Sequence, residues 1–259
     1  MDLGLEGKTA LVCASSRGLG FACAEALARE GVNIVINGRD RGCLDEAAAA
    51  LRSTLRVTIR AVCGDVATKE GRAALLSACP EPDILVNNNA GPDPQDFLAI
   101  EDETWGQAIQ ANMIAPIMMV RAVLPAMIAR RFGRIVNITS AMVTTPRPHM
   151  TLSSGARAGL TASMKGLSLD VARHNVTINN LLPERIDTAR QHQMANDMMK
   201  RFGITYDEAR RRQVESIAAR RLGLPSEFGA TCAFVCSVHA GFMSGQNIHL
   251  DGGSYPALV

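Results

Sequence analysis

A glycine-bearing turn after the first predicted strand carries the clearest chemical signal in the chain. The predicted strand Thr9–Ala14 leads through Gly18 and Gly20 into a predicted helix, Leu19–Glu30. A strand, a tight turn and a helix in this order direct unbonded backbone N–H groups at a diphosphate, and glycine allows close approach. We therefore predict a dinucleotide site that includes Ala14, Ser15, Ser16, Arg17, Gly18, Leu19 and Gly20.

The end of the second predicted strand indicates which dinucleotide is bound. NAD sites place an acidic residue near this point to accept hydrogen bonds from the ribose hydroxyls. Here the strand runs into Asn37, Gly38 and Arg39 without an acid. The planar guanidinium of Arg39 suits a 2′-phosphate, and Arg17 on the glycine turn offers a second cation. This pattern favours NADP(H) over NAD.

Further along, a hydroxyl group and a positive charge stand one helical turn apart. Ser153 and Arg157 occupy positions i and i+4 of the predicted helix Ser153–Arg173, so their side chains share one face. A serine hydroxyl is a poor proton donor near neutral pH. Arginine can hold a ribose or polarise an oxygen, but it does not readily release a proton. Such a pair can orient and polarise a ligand more readily than it can protonate one.

The elements that would position these residues alternate along the chain. Apolar, β-branched strands alternate with helices, which is typical of parallel pairing through right-handed crossovers with helices on both faces. The predicted strands are Thr9–Ala14, Val32–Asn37, Val57–Cys63, Ile84–Asn88, Arg134–Thr139, Thr177–Leu182 and Asn247–Leu250. The predicted helices are Leu19–Glu30, Leu44–Leu51, Lys69–Ala78, Glu103–Arg130, Ser153–Arg173 and Ser226–Val238. We predict an α/β fold: one doubly wound Rossmann-type domain over residues 1–259, with a seven-stranded, mainly parallel sheet.

Residues 184–222 break this alternation and are polar and basic. They follow a predicted strand end, where open α/β sheets bind their ligands. We predict a small helical lid whose arginines meet an anionic substrate or a cofactor phosphate; the alternative is a solvated helical face. The basic residues are Lys200, Arg201, Arg210, Arg211, Arg212, Arg220 and Arg221.

Composition excludes several classes of protein. The chain has 259 residues, of which 47% are hydrophobic and 20% charged, as expected for a globular core. A formal net charge of +2 predicts neither nucleic-acid nor membrane-surface binding, and we identify no apolar run approaching the roughly 20 residues that cross a bilayer.

Seven irregularly spaced cysteines indicate reduced core thiols and a cytoplasmic protein. Cys232 and Cys236 favour packing, and no metal site is predicted.

These motifs resemble those of the short-chain dehydrogenase/reductase family, most of all 3-oxoacyl-(acyl carrier protein) reductases. The turn is similar to the family's Thr-Gly-x-x-x-Gly-x-Gly, with Cys13 and Ala14 in the first two places. A Pro-Gly-x-Ile-x-Thr motif recurs with Glu184 in place of its glycine. The resemblance covers about Leu5 to Gly253 and implies further cofactor contacts from Asp65, Val66, Asn89, Ala90, Gly91, Arg157, Pro183, Ile186 and Thr188.

The resemblance also implies a catalytic set in which a tyrosine protonates the substrate oxygen with help from a lysine. Ser153 stands in the tyrosine position and Arg157 in the lysine position, while Asn112 and Ser140 match the family's asparagine and substrate-positioning serine. Among possible replacements for the acid we prefer His149, because its loop is expected to border the substrate pocket. Tyr206 and Tyr255 are the other candidates, and each of the three has a packing or surface role as its alternative.

The family implies an NADP-dependent reductase of a small carbonyl compound, either an anionic ketone or an acyl thioester. Two alternatives stay open: an NADP-binding sensor or inactive partner subunit, and redirected lyase or aldol-type chemistry. Arg157 also resembles the arginine of halohydrin dehalogenases, but those lack the glycine turn and keep the tyrosine. Family members pair their two long helices across a dimer interface, usually within a homotetramer, so we expect a homo-oligomer, a dimer or a tetramer.

Overall fold

In the computed structural model, which describes residues 1–215 and 217–258, seven strands form a single sheet. The strand order is β3-β2-β1-β4-β5-β6-β7, and all six pairings are parallel. The strands are β1 Thr9–Val12, β2 Asn33–Gly38, β3 Ile59–Cys63, β4 Ile84–Asn87, β5 Gly133–Ile138, β6 Val176–Pro183 and β7 Asn247–Leu250. The predicted doubly wound sheet is confirmed. Ser216 and Val259, which belong to the predicted lid and domain, lie outside the described residues.

Helices cover both faces of this sheet because alternate strand residues point to opposite sides. Val12 and Val86 pack in one core with α1, α2 and α9, whereas Leu11 and Leu85 pack in the other with α3, α5 and α6. The helices are α1 Gly18–Arg29, α2 Arg41–Thr54, α3 Lys69–Ala78, α4 Asp102–Ile109, α5 Ala115–Ala129, α6 Thr151–Val171, α7 Ala189–Phe202, α8 Tyr206–Glu215 and α9 Pro225–Cys236.

The sheet order fixes where a ligand can bind. β1 pairs with β2 on one side and with β4 on the other, so the chain changes direction at the β1–β4 boundary. Open parallel sheets bind ligands outside the carboxyl ends of their strands at such a point. The glycine turn follows β1 at this edge, and β6 is followed by the helices α7 and α8 of the segment for which a lid is predicted.

The predicted long helix over residues 103–130 is interrupted. A π-helical turn, Gln110–Ile114, joins α4 to α5. The hydrophobic pattern of the segment does not reveal this turn, because apolar residues occupy nearly every face of it. Turns of this kind are rare and occur frequently at functional sites.

The same run, Asp102–Ala129, is long and apolar enough to cross a membrane by length and composition alone. In this respect the sequence expectation was too strong. The run packs against the sheet through Met119, Val120 and Val123, which are fully buried. A core helix of a doubly wound domain meets the same criterion, so the run assigns no membrane location.

Candidate active site

The turn between β1 and α1 has the backbone shape of a dinucleotide site. Ala14 has φ +44° and Gly18 has φ +61°, so the alanine keeps a left-handed conformation that favours glycine. A Cβ atom on Gly20 would lie 2.5 Å from the Ala14 carbonyl oxygen and 2.8 Å from Asn88 Nδ2. Arg17, the N-cap of α1, makes no side-chain capping bond to the described chain. The first N–H groups of α1 are therefore available to an anion.

Ser15 and Asn37, two of the predicted cofactor residues, stabilise this turn through hydrogen bonds of their buried side chains. The Ser15 hydroxyl donates to the Val12 carbonyl at 2.7 Å and accepts from the Asn37 N–H at 2.9 Å. The Asn37 amide in turn donates to the Val62 and Gly64 carbonyls at 3.0 and 2.9 Å. Both residues are buried. Their side chains position the turn inside the protein, a role that the sequence did not indicate.

The cations predicted to select NADP(H) are exposed at the end of β2. The Arg39 side chain is 68% exposed and lies 3.8 Å from Asp65 Oδ2, and Arg17 is also exposed. The nearby Asp40 carboxylate caps α2 by accepting from the Cys43 N–H at 2.8 Å. That hydrogen bond is the main reason that the pKa of Asp40 is lowered. This acid is therefore committed to the helix, while the Arg17 and Arg39 side chains remain exposed to solvent.

The other residues predicted around the nucleotide line the same edge. A Cβ atom on Gly38 would lie 2.9 Å from Ser16 Oγ, so the absence of a side chain there lets the Ser16 hydroxyl pack against the strand. The Asp65 carboxylate accepts from the backbone N–H two residues further on at 2.9 Å. Val66 is buried, and Leu19 packs against the core beside α1.

The two serines lie at the carboxyl edge of β5 and at the start of α6. Ser140 Oγ accepts from the Met142 N–H at 3.1 Å, which leaves its hydroxyl proton free to donate. Ser153 is buried. Both hydroxyls can donate to a ligand oxygen.

Arg157 is buried and is held by backbone carbonyls. Its Nη1 donates to the Ile138 carbonyl at 2.7 Å, and its Nη2 donates to the Asn89 carbonyl at 3.2 Å. A Cβ atom on Gly91 would stand 3.5 Å from the same Nη2, so the loop passes close to the guanidinium. Burial lowers the pKa of Arg157 to about 10. The site thus contains a fixed positive charge without a carboxylate partner among residues 1–215 and 217–258.

Asn112 lies in the π-helical turn and has an unfilled hydrogen-bonding position. Its Nδ2 donates to the Ala108 carbonyl at 3.4 Å, but its buried Oδ1 has no hydrogen-bond donor in the described structure. Asn89 connects this turn to the loop after β4 by donating to the Ala111 carbonyl at 3.3 Å, and its Oδ1 accepts from the Ala90 N–H. Buried acceptors are normally satisfied, so Asn112 Oδ1 marks a place for a water or ligand donor.

The loop after β6 brings the third motif to this edge. Pro183 ends β6 opposite Leu250 of β7. Ile186 is buried in the core, and Thr188 precedes α7 with its methyl group 4.0 Å from the position of a Cβ atom on Gly18. The motif therefore reaches the glycine turn, as the resemblance implies.

An ion pair that the sequence did not predict joins this loop to the loop after β5. Glu184 is buried, and its Oε1 lies 3.0 Å from Arg147 Nη1 and 3.4 Å from Arg185 Nε. Glu184 therefore occupies the glycine position of the family motif with a paired charge.

The lid arginines have partners within the lid and its flanks. Arg210 pairs with Asp187 at 2.7 Å, and Arg221 pairs with Glu227 at 2.6 Å. Arg211 and Arg212 both pair with Glu208, and Arg220 donates to the Glu215 carbonyl. Lys200 and Arg201 lie in the last turn of α7, where cations favour the helix end. These contacts favour a solvated helical face over the predicted anion-binding role.

The three candidate proton donors lie in different surroundings. His149 is exposed, with φ +65°, and its carbonyl accepts from the Gln95 N–H at 3.0 Å, so its loop contacts the loop after β4. Tyr206 OH lies 2.5 Å from His192 Nδ1. The Tyr255 ring stacks on His249 with ring centres 4.2 Å apart.

Together, the doubly wound sheet, the uncapped α1 and the hydroxyl and guanidinium groups beyond β4 and β5 define a Rossmann-type, nucleotide-dependent oxidoreductase scaffold. Comparison with known proteins agrees with this class. The family model described as enoyl-(acyl carrier protein) reductase matches residues 13–255. The chain belongs to the short-chain dehydrogenase/reductase family.

Curated relatives match over nearly the full length. The chain is 31% identical to the 3-oxoacyl-(acyl-carrier-protein) reductase FabG of Vibrio harveyi, covering 98% of this chain and 99% of the relative. It is 32% identical to the NADPH-dependent reductase BacG of Bacillus subtilis, covering 97% and 99%. The L-sorbose reductase of Gluconobacter frateurii, solved with NADPH and L-sorbose, is 30% identical with a TM-score of 0.94 and 100% coverage of both chains. The cofactors named for BacG and the sorbose reductase agree with the predicted NADP(H).

Proposed function

We propose that the protein is an NADPH-dependent reductase of carbonyl compounds, acting on a 3-oxoacyl thioester or a similar ketone with an atypical proton donor. The observation that carries this proposal is the position of Arg157. Its guanidinium is bonded to the Ile138 and Asn89 carbonyls and lies at the strand edge that bears Ser140. Reduction places negative charge on the carbonyl oxygen, and fixed charges and donors stabilise it.

The residues of the turn fit NADP(H). Arg17 and Arg39 would hold the 2′-phosphate, and the unbonded N–H groups of α1 would hold the diphosphate. The nicotinamide supplies the hydride when the cofactor is bound. Named structures and relatives that use NADPH or NADP support this assignment.

Within this chain, the hydroxyls of Ser140 and Ser153 would orient the carbonyl oxygen by donating hydrogen bonds to it. Arg157 would stabilise the developing negative charge without giving up its own proton. The proton would come from His149 or from a water held at Asn112 Oδ1, because the structure leaves that acceptor unpaired. Tyr206 is the weaker candidate, since its hydroxyl already pairs with His192.

Two measurements test the reductase proposal. NADPH binding is measured by cofactor fluorescence with NADH as the comparison, and oxidation of NADPH is then followed with a panel of ketones and 3-oxoacyl thioesters. We expect NADPH to bind more tightly than NADH and at least one carbonyl compound to be reduced. Failure to bind millimolar NADPH would contradict the proposal.

A second candidate function is an NADP-binding sensor or partner subunit without turnover. The absence of the tyrosine and lysine favours it, since Ser153 is a poor acid and Arg157 is fixed by two carbonyls. The double variant Ser153→Tyr with Arg157→Lys separates the two functions. Activity that arises only in the double variant would support the sensor, whereas activity in the unaltered protein supports the reductase.

We also propose a cytoplasmic homo-oligomer. All seven cysteines are free thiols, as expected in a reducing compartment.

An apolar groove between α5 and α6 is lined by Ile117, Leu124, Ile128 and Leu167. A second apolar surface carries Phe234, Val238 and Phe242, which are exposed. Two separate apolar surfaces are what a tetramer needs, and light scattering after gel filtration distinguishes a tetramer from a dimer or monomer.

A further inference from the structure

Two arginines share one buried carboxylate at the carboxyl end of β6. Glu184 is 8% exposed, and its Oε1 lies 3.0 Å from Arg147 Nη1 and 3.4 Å from Arg185 Nε. Two positive charges against one negative charge leave the cluster with a net positive charge. Arg147 is partly exposed, whereas the Arg185 side chain is only 15% exposed. Buried charges are costly unless they are paired, so the guanidinium of Arg185, which shares its carboxylate with Arg147, needs an explanation.

The strand register places this cluster next to the proposed catalytic centre. Ile138 of β5 lies opposite Leu181 of β6. Continuing this register by two residues brings Ser140 beside Pro183, and adjacent strands are about 4.8 Å apart. Glu184 is the next residue after Pro183. Arg147 belongs to the loop between Ser140 and α6, so the cluster lies between the loops after β5 and β6.

Arg185 has an unfilled hydrogen-bonding position. Its Nε is buried and makes no hydrogen bond in the described structure, because the 3.4 Å approach to Glu184 lacks hydrogen-bond geometry. Its φ of +56° is a strained conformation for a side chain of this size. The two guanidiniums are close together, because a nitrogen of each lies within 3.4 Å of the same Glu184 oxygen. Burial is the main cause of the lowered pKa of Arg185; the Glu184 carboxylate opposes this shift and the charge of Arg147 adds to it.

We propose that Arg147 and Arg185, positioned by Glu184, form a subsite for a carboxylate group on the substrate, which makes keto acids the preferred carbonyl substrates. A substrate carboxylate would neutralise the excess positive charge and accept hydrogen bonds from the terminal nitrogens of the two guanidiniums. Arginine binds carboxylates through two parallel hydrogen bonds, so it would also fix the direction of the substrate. This inference rests on the proposed reductase function and names the substrate class of the same site.

The test compares acids with their uncharged esters. NADPH oxidation is measured with pyruvate, acetoacetate and levulinate, each beside its methyl ester. The three acids place the carboxylate at increasing distance from the carbonyl. We expect at least one acid to have a KM at least tenfold below that of its ester. Arg185→Gln raises that KM by about tenfold or more, as expected for the loss of a hydrogen bond between charged groups, and it changes the ester KM less than twofold.

Two further variants and a control accompany this test. Glu184→Gln removes the charge that positions both arginines and should raise the KM of the acid severalfold while changing the ester KM less than twofold; an unchanged acid KM would contradict the positioning role. Arg147→Gln replaces Arg185→Gln if the latter fails to fold. Arg29→Gln breaks an exposed Arg–Glu pair on α1 and is the matched control that should change neither substrate.

Calorimetric titration of the NADP⁺ complex with the same acids and esters separates the two proposals. Acids that bind more tightly than esters, without any turnover, would uphold the subsite and contradict the reductase. Turnover with equal KM values for acid and ester, unchanged by Arg185→Gln, would uphold the reductase and overturn the subsite. Equal binding of acids and esters without turnover would overturn both.

Discussion

Replacing Gly20 by alanine tests whether the turn after β1 has the close packing of a dinucleotide site. The added Cβ atom would lie 2.5 Å from the Ala14 carbonyl oxygen, 2.8 Å from Asn88 Nδ2 and 2.9 Å from Ser15 Cα. Carbon and oxygen atoms normally approach to about 3.3 Å, so the turn must move by roughly 0.8 Å. Two of these three atoms belong to the backbone, which cannot rotate away. We therefore expect a loss of about 2–3 kcal/mol in the free energy of unfolding, the upper part of the usual overpacking range.

The same displacement moves the N–H groups that would bind the diphosphate, so we expect the Kd for NADPH to rise at least tenfold. Urea denaturation followed by circular dichroism measures the first effect, and NADPH fluorescence measures the second. Gly106→Ala in α4 is the control, because its Cβ atom would meet no atom within 4 Å, and alanine should stabilise the helix by about 0.5–1 kcal/mol. A Gly20→Ala variant with the wild-type urea midpoint and a Kd within twofold would refute the packing described for the turn.

Three further changes probe the rest of the site. Ala14→Gly should stabilise the protein by about 0.5–1 kcal/mol in urea denaturation, since it relieves a left-handed alanine at φ +44° and is only partly offset by unfolded-state entropy; a loss of stability would contradict that strain. Arg39→Gln should raise the Kd for NADPH about tenfold and leave the Kd for NADH unchanged. An equal change in both Kd values would contradict the role of Arg39 in binding the 2′-phosphate. His149→Asn is chosen because asparagine tolerates φ +65°. It should lower kcat about 100-fold without changing the Kd for NADPH. An unchanged kcat would indicate that the proton comes from water.

The pH dependence follows from Arg157. Burial lowers its pKa to about 10, so the guanidinium is charged at neutral pH and loses its charge as the pH rises through about 10. We expect kcat to be constant near neutral pH and to fall above that value. The folded-state pKa lies below the ordinary value of 12.5, so the unfolded chain binds the proton more tightly. The contribution of Arg157 to the free energy of unfolding therefore increases as the pH rises above about 10. Circular dichroism should accordingly show a folded protein while kcat falls.

The fold could be predicted because its determinants are local. Apolar strands such as β1 and β4 alternate with amphipathic helices, and this alternation alone implies parallel strands with helices on both faces. Comparison with the structure confirms the sheet, and all seven predicted strands are present within a few residues of their expected ends. The π-helical turn at Asn112 was not predicted, because it depends on i+5 bonding that hydrophobic periodicity does not record.

The parts of the site that depend on distant partners could not be predicted. Ser15 and Asn37 have residue types suited to a cofactor, yet their side chains bond to each other's segments across the sheet. Arg147 and Glu184 are separated by 37 residues, and only the adjacency of β5 and β6 brings them together. The charge pattern of the segment 184–222 likewise did not reveal the carboxylates that pair with Arg210 and Arg221.

The most direct test of the reductase proposal follows the hydride itself. The unaltered protein is incubated with NADPH in which both C4 hydrogens of the nicotinamide are deuterium and with the ketone, keto acid and thioester panel, and the products are examined by mass spectrometry. We expect one alcohol product to carry a single deuterium, and its yield to fall at least tenfold in Ser140→Ala. Tight NADPH binding with no deuterium in any product would contradict the claim that a Ser153 and Arg157 centre supports carbonyl reduction.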